Sequence, residues 1–87
     1  MRHARKDYNR IQDPQNKIPV LEPVFLLRGQ DKYAAETVLF YAQSILDDEL
    51  ASDAAREIAQ RTWDWAKEMR EWGEHIGVKQ PDMPEGA

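Results

Sequence analysis

The sequence predicts a mainly α fold: an antiparallel two-helix hairpin, preceded by an extended, proline-punctuated N-terminal arm with one or two short strands. Prolines at positions 14, 19 and 23 prevent a long helix from starting early in the chain. Apolar residues recur with helical spacing in residues 31–49 and again in 52–76, and the connection between these segments is short. We therefore expect a single domain over residues 1–87.

The arm, residues 1–23, is expected to dock on the rest of the chain. Residues 24–28 follow it, between Pro23 and Gly29, and are too few for a buried helix. Their β-branched and aromatic start predicts a strand or extended core segment. Because a lone strand leaves backbone groups unpaired, its partner should be residues 18–21 or the same strand of another subunit.

The first helix is predicted over residues 31–49. Gly29 permits the preceding turn, and Asp31 is a suitable N-cap. Tyr33 and Phe40 fall on a second stripe with Thr37 and Ser44, outside the core face. The core face consists of Ala34, Ala35, Val38, Leu39, Tyr41, Ala42, Ile45, Leu46 and Leu50.

The second helix is predicted over residues 52–76, with Ser52 or Asp53 as N-cap and Gly77 as C-cap. Its apolar positions alternate in steps of three and four, which is typical of a helix-packing seam. These seam positions are Ala55, Ile58, Thr62, Trp65, Met69, Trp72 and Ile76. A second face, made by Ala59, Trp63 and Ala66, is wide enough for contacts beyond the hairpin. Residues 78–87 are predicted to be a polar tail.

The composition favours a cytoplasmic oligomer. A chain of 87 residues buries a marginal core, and without cysteine it has neither disulfides nor thiolate metal sites. Oligomerisation is the expected reinforcement. No apolar run approaches the roughly 20 residues that span a bilayer, and the N-terminus lacks an apolar signal core.

Charge is distributed unevenly along the chain. Residues 1–32 hold seven Lys/Arg against four Asp/Glu, whereas residues 33–87 hold five against twelve. The N-terminal third is therefore the expected location of an anionic ligand. The acidic remainder would repel a duplex, so a compact anionic ligand or an acidic protein surface suits the basic arm better than DNA.

Catalytic chemistry is not indicated. His3 and His75 are the only histidines, and neither has metal-ligand spacing. No Ser or Cys nucleophile has an arranged base, and no Gly-rich phosphate loop is present. We expect a protein that is not an enzyme and needs no metal or cofactor.

A candidate binding site lies around the start of the first helix. Arg28 and Lys32 would meet a phosphate there, together with the free N–H groups of the helix terminus. Against this, Asp31 is predicted to cap those donors, and Arg28 then makes an ordinary ion pair. Tyr33 and Phe40 would stack a nucleobase, or would pack on the arm or a neighbouring subunit.

Other residues extend this predicted site. Arg5 and Lys6 from the arm would contact phosphate, and Tyr8 is a further candidate for base stacking. Gln30 is a candidate for recognition of a base edge.

Two segments resemble a family of small proteins found in phages and prophages. They are Arg-His-Ala-Arg-Lys-Asp-Tyr-Asn-Arg-Ile-Gln-Asp-Pro, residues 2–14, and Glu-Pro-Val-Phe-Leu-Leu-Arg-Gly-Gln-Asp-Lys, residues 22–32. The resemblance covers roughly the first third of the chain and implies no site residues. In size, hairpin and expected oligomerisation, the chain is also similar to phage anti-defence sponges, which sequester nucleotide signals of bacterial immunity such as cyclic dinucleotides.

Three functions follow as hypotheses. The first is a non-enzymatic phage-type protein that sequesters a phosphorylated nucleotide immune signal at subunit interfaces. The second is an inhibitor or adaptor that contacts a host defence protein through an acidic hairpin surface. That surface comprises Asp47, Asp48, Glu49, Asp53, Glu57 and Asp64. The third is a structural oligomer without a ligand, for which Tyr33 and Phe40 should be wholly buried.

Overall fold

The computed structural model describes residues 1–5, 7 and 11–82. The described chain forms two compact units, residues 1–27 with Asp82, and residues 28–81. The predicted fold class is confirmed: two packed helices and two short parallel strands near the N-terminus. The elements, in chain order, are β1 (Arg2–His3), β2 (Pro23–Val24), α1 (Ala34–Leu46) and α2 (Asp53–Ile76).

In the first unit, β1 and β2 pair in parallel, with Arg2 opposite Pro23 and His3 opposite Val24. The Arg2 N–H donates to the Glu22 carbonyl at 2.7 Å. The predicted strand over 24–28 is thus shorter and starts one residue earlier, and its partner is β1, not residues 18–21. The physical reason is a turn: the Glu22 N–H donates to the Pro19 carbonyl at 3.1 Å, so residues 18–21 bend away from β2.

The proline-rich part of the arm is organised by Asp13. Its carboxylate accepts the backbone N–H groups of Lys17 and Ile18, each at 3.0 Å. Between them and Asp13 the chain turns through Asn16, whose φ of 51° lies in the left-handed region that Asn tolerates. The Asp13 side chain therefore accepts backbone N–H groups that have no regular secondary structure to bind them, because prolines 14 and 19 interrupt it.

In the second unit, α1 starts three residues later than predicted. Its N-cap is Tyr33, which makes no side-chain capping bond. The Asp31 carboxylate accepts the Tyr33 N–H at 2.8 Å, and the Asp31 carbonyl accepts the Ala34 N–H at 3.1 Å. Asp31 therefore stabilises a turn that precedes the helix, because its carboxylate is used before helical geometry begins.

The helix α1 also ends before residue 49, where the sequence predicts its C-terminal end. The helix ends at Leu46, and the Asp48 carboxylate accepts the Leu50 N–H at 2.9 Å. This local bond favours a turn over continued helix. Leu50, predicted to lie on the core face, is consequently exposed in the connection.

The boundaries of α2 agree with the sequence prediction. Ser52 is the N-cap, and its hydroxyl accepts the Ala55 N–H at 3.1 Å. Gly77 is the C-cap, with a φ of 101° that side-chain-bearing residues rarely adopt.

The two helices run antiparallel. Arg70, late in α2, forms an ion pair with Glu36, early in α1. Arg56, early in α2, donates to the Leu46 carbonyl at 3.3 Å and to the Asp48 carbonyl at 2.8 Å. These contacts join opposite ends of the two helices, as a hairpin requires, and Arg56 satisfies carbonyls left open at the end of α1.

The contact between the helices is made by small residues, which corrects the predicted seam. The buried apolar residues of the described chain are alanines, and Gly73 is buried as well. Small side chains let the helix axes approach closely, so the large residues beside them remain outside. The predicted seam residues Ile58, Trp65, Trp72 and Ile76 and the predicted core residue Tyr41 are exposed. The buried alanines are Ala34, Ala42, Ala59 and Ala66.

The predicted tail begins with an ordered segment. The Lys32 N–H donates to the Lys79 carbonyl at 2.7 Å, and the Lys79 N–H donates to the Gln30 carbonyl at 2.8 Å. Val78 packs beside Gly73 on α2. Residues 78 and 79 are therefore part of the second unit, not of a tail, while residues 83–87 lie outside the described residues. In the part of the chain that is described, neither helix has the length and hydropathy to cross a bilayer.

Candidate functional site

Residues 28–33, which we name the α1 head, hold four of the predicted ligand-binding residues together. A turn closes the segment, in which the Asp31 N–H donates to the Arg28 carbonyl at 3.0 Å. The two backbone hydrogen bonds to Lys79 fix it against the C-terminal end of the unit. The backbone of the α1 head is thus held by the hydrogen bond of its own turn and by the two hydrogen bonds to Lys79.

Arg28 and Gln30 interact with each other within the α1 head. With its amide oriented so that oxygen faces the guanidinium, Gln30 accepts from the two terminal nitrogens of Arg28 at 2.9 and 3.1 Å. The Gln30 oxygen in this arrangement orients the plane of the Arg28 guanidinium. Recognition of a base edge by Gln30 stays a prediction.

Lys32 and Tyr33 supply a cation and a ring side by side. The Lys32 ammonium lies 5.9 Å from the centroid of the Tyr33 ring, within cation–π range. Tyr33 remains 51% exposed, so its ring has room for a second planar group. Arg28, Lys32 and Tyr33 thus place two cationic groups and one accessible aromatic ring within six residues.

The start of α1 retains hydrogen-bond donors. Asp31 accepts the Tyr33 N–H, which precedes the helix, so the predicted capping of the first helical turn by Asp31 does not occur. Among the described residues, the backbone N–H groups of Ala35 and Glu36 have no acceptor. These donors and the helix dipole favour an anion, while the Asp31 carboxylate nearby opposes one.

Phe40 belongs to the same exposed stripe as Tyr33 but lies farther along α1. Seven residues separate the two rings, which is about 10 Å along a helix axis. The two polar residues of the stripe are bound to the backbone. The Thr37 hydroxyl donates to the Tyr33 carbonyl, and the Ser44 hydroxyl donates to the Phe40 carbonyl, each at 2.7 Å. In the single chain Phe40 is 75% exposed and Tyr33 is 51% exposed.

Of the three arm residues that the sequence predicts to bind the ligand, the structure describes one, Arg5. Arg5 lies in the first unit, where its guanidinium pairs with Asp7 at 2.6 Å and donates to the Asp82 carbonyl at 2.6 Å. This pairing stabilises the arm within its own unit. Lys6 and Tyr8 lie outside the described residues.

A cavity that the sequence did not predict lies in the first unit. It has a volume of about 440 Å³ and is open to solvent. Its walls include Arg2 and His3 of β1 and Phe25 after β2, and the Arg2 Nε is held by the Leu21 carbonyl at 2.7 Å. Neither ring nitrogen of His3 reaches solvent or has a hydrogen-bond partner in the described part of the chain. Because the cavity depends on the pairing of β1 with β2, no local pattern signals it.

Neither a metal site nor a similarity to known proteins identifies a function for the described residues. The described residues contain no cluster of three or more His, Cys, Asp or Glu side chains arranged for a metal ion. No family model, curated protein or solved structure matches this chain.

Proposed function

We propose that this protein is a non-enzymatic binding protein that takes up a phosphorylated nucleotide at the α1 head. The observation that carries the proposal is the grouping of Arg28, Lys32 and Tyr33 on one ordered segment at the start of a helix. The pairing of cationic donors with an exposed ring suits a ligand that has both phosphate and base.

Each part of the nucleotide has a matching group. The guanidinium of Arg28 supplies a permanent positive charge that suits a phosphate, and Lys32 adds a second positive charge. The Tyr33 ring offers a stacking surface, which contributes about 1–3 kcal/mol for one base. Because stacking is tolerant of base identity, the site would select for phosphate number and spacing more than for one base.

In its specific form, the proposal is sequestration of a nucleotide signal of bacterial immunity, as in phage anti-defence sponges. The resemblance of residues 2–14 and 22–32 to small phage proteins supports this form, and the second segment contains Arg28 and Lys32. Sequestration requires tight binding without turnover, so a site built from cations and a ring is sufficient for it.

Calorimetric titration tests the proposal. The panel contains cyclic dinucleotides, larger cyclic oligonucleotides and ADP-ribose derivatives, with an unphosphorylated nucleoside and inorganic phosphate as partial ligands. We expect at least one nucleotide to bind, and both Arg28→Ala and Tyr33→Ala to weaken its affinity about tenfold or more.

Lys67→Ala is the matched control, because it also removes one exposed positive charge but from the polar face of α2. Its affinity for the nucleotide should equal that of the wild type. Failure of the whole panel to bind would refute the proposal, as would an Arg28→Ala variant with wild-type affinity.

A second candidate function, contact with a basic host protein, is favoured by the acidic surface of the hairpin. All six of its acidic residues, Asp47, Asp48, Glu49, Asp53, Glu57 and Asp64, are exposed. Some are held by neighbours: the Asp47 carboxylate accepts from Gln43 at 2.8 Å, and Glu57 pairs with Arg61. Replacing these acids by Asn or Gln should abolish capture of a basic protein under this function and leave nucleotide affinity unchanged under the first.

A further inference from the structure

The exposed apolar stripe of α2 is the most extensive feature that the proposed function does not use. Its positions recur in steps of four and three, and on a helix of 3.6 residues per turn they fall within about 80° of one another. Four members are large and exposed: Ile58 (55%), Trp65 (66%), Trp72 (49%) and Ile76 (58%). Thr62 and Met69 lie between them and are half-buried.

From this stripe we infer that the protein forms a symmetric dimer in which α2 packs antiparallel against α2 of a second copy. This inference does not depend on the proposed nucleotide site. It assigns the stripe, Ile58 to Ile76, as the contact surface and a second copy of this chain as the occupant.

The apolar core of the single chain is small. In the described chain the fully covered apolar residues are alanines, and no large side chain is completely buried. The hairpin contact therefore removes little apolar area from water, while the stripe beside it keeps two tryptophans partly in solvent. Pairing two stripes supplies the buried aromatic area that a chain of this size lacks by itself.

The exposed apolar area of the stripe is large enough for a specific interface. At about 150–250 Å² for a whole aromatic side chain, the exposed parts of the two tryptophans and two isoleucines amount to roughly 500 Å² per chain. Two chains together would then bury about 1,000 Å², which is the lower limit for a specific protein interface. The stripe extends about 27 Å along the helix, so this area is continuous.

The sizes of the stripe residues complement one another in one antiparallel register. With a twofold axis that passes between positions 63 and 64, each tryptophan faces a much smaller residue, which lets the two helices interdigitate, and two residues of similar size face each other in the remaining layer. The layers are Trp65 with Thr62 of the partner subunit, Trp72 with Ala55 of the partner subunit, and Met69 with Ile58 of the partner subunit.

Charged residues at the edge of the stripe complement one another in the same register. In this register Arg61 lies beside Glu68 of the partner subunit, and the twofold axis repeats the pair. Both residues are exposed, and within its own helix Arg61 pairs with the exposed Glu57. Because an exposed ion pair contributes little free energy, Arg61 can exchange Glu57 for Glu68 of the partner subunit. A shift by one heptad would instead place Glu68 opposite Glu68 of the partner subunit, so charge selects the first register.

Sedimentation equilibrium over a wide concentration range, with circular dichroism as a check on folding, tests the inference. The wild type should be dimeric. Trp65→Glu should be monomeric, whereas Lys67→Glu, on the polar face of the same helix, should remain dimeric. A monomeric wild type, or a dimer that survives Trp65→Glu, would overturn the inference and assign the stripe to another occupant.

A charge-reversal pair tests the register without removing apolar area, so loss of folding does not confound it. Glu68→Lys should raise the dissociation constant about tenfold, because two like-charge pairs form. The double variant Arg61→Glu with Glu68→Lys should restore wild-type affinity to within about twofold. An unchanged dissociation constant in Glu68→Lys, or no restoration in the double variant, would refute the antiparallel register.

Discussion

Substitution of Gly73 by alanine tests how closely the C-terminal part of α2 approaches its neighbours. A Cβ atom at position 73 would lie 2.7 Å from the Val78 Cγ1 and 3.0 Å from the Gly29 carbonyl oxygen. Intrinsic helix propensity favours alanine over glycine by about 1 kcal/mol, so an open site would be stabilised. The packing and the propensity terms therefore have opposite signs.

The packing term should dominate at Gly73. Overpacking costs about 1–3 kcal/mol, and the upper part of that range applies because one of the two close atoms belongs to backbone. That backbone is held, since the adjacent Gln30 carbonyl accepts the Lys79 N–H at 2.8 Å. We expect Gly73→Ala to lower the free energy of unfolding by about 1–2 kcal/mol, after the propensity gain is included.

Urea unfolding at one fixed protein concentration measures this change, and thermal unfolding should show a decrease in Tm of about 5–15 °C. The pair Lys67→Ala and Lys67→Gly gives the propensity difference at an exposed site of the same helix. Adding Val78→Ala to Gly73→Ala should recover part of the loss, because it removes the closer contact. A Gly73→Ala variant more stable than the wild type would refute the close approach.

Three further predictions concern the N-cap of α2, the buried histidine of β1 and the turn organised by Asp13. Ser52→Ala should lower the free energy of unfolding by about 1 kcal/mol, and Ser52→Gly by only a few tenths; equal losses in urea titrations would contradict the capping role. His3→Leu should raise the free energy of unfolding by about 1 kcal/mol, since it removes buried ring nitrogens that lack partners, and a less stable variant would show that the imidazole is needed. Asp13→Ala should accelerate hydrogen exchange at the Lys17 and Ile18 amides, and unchanged exchange would exclude Asp13 as their acceptor.

The helical hairpin was predictable because its signals are local. Ser52 is a strong N-cap residue and Gly77 a strong C-cap residue, and the structure places both in these roles. A short connection between two amphipathic segments leaves an antiparallel arrangement as the simplest packing. These inferences need no knowledge of which side chains meet.

The identity of the seam was not predictable from periodicity alone. The sequence shows two adjacent stripes on α2, one of large apolar residues and one with Ala59, Ala66 and Gly73. Periodicity favours the larger residues, whereas close helix packing favours the smaller ones, and the structure follows the second. The large stripe, represented by Trp65, is thereby left for another contact.

The candidate site was predictable in its sequence-local part. Arg28, Gln30, Lys32 and Tyr33 lie within six residues, so any ordered turn there brings them near each other. The non-local parts were not predictable: the pairing of β1 with β2, and the bridge between Asp31 and Lys79, join residues distant in sequence. Such pairings depend on loop closure, which leaves no periodic signature.

Native mass spectrometry of the protein purified from bacterial cytosol tests the central claim most directly, since it reports the subunit number and any retained ligand together. We expect a dimer that carries adducts of nucleotide mass, with the adducts absent from Arg28→Ala and the dimer absent from Trp65→Glu. A ligand-free monomer that also fails to bind any nucleotide added to it would contradict the account.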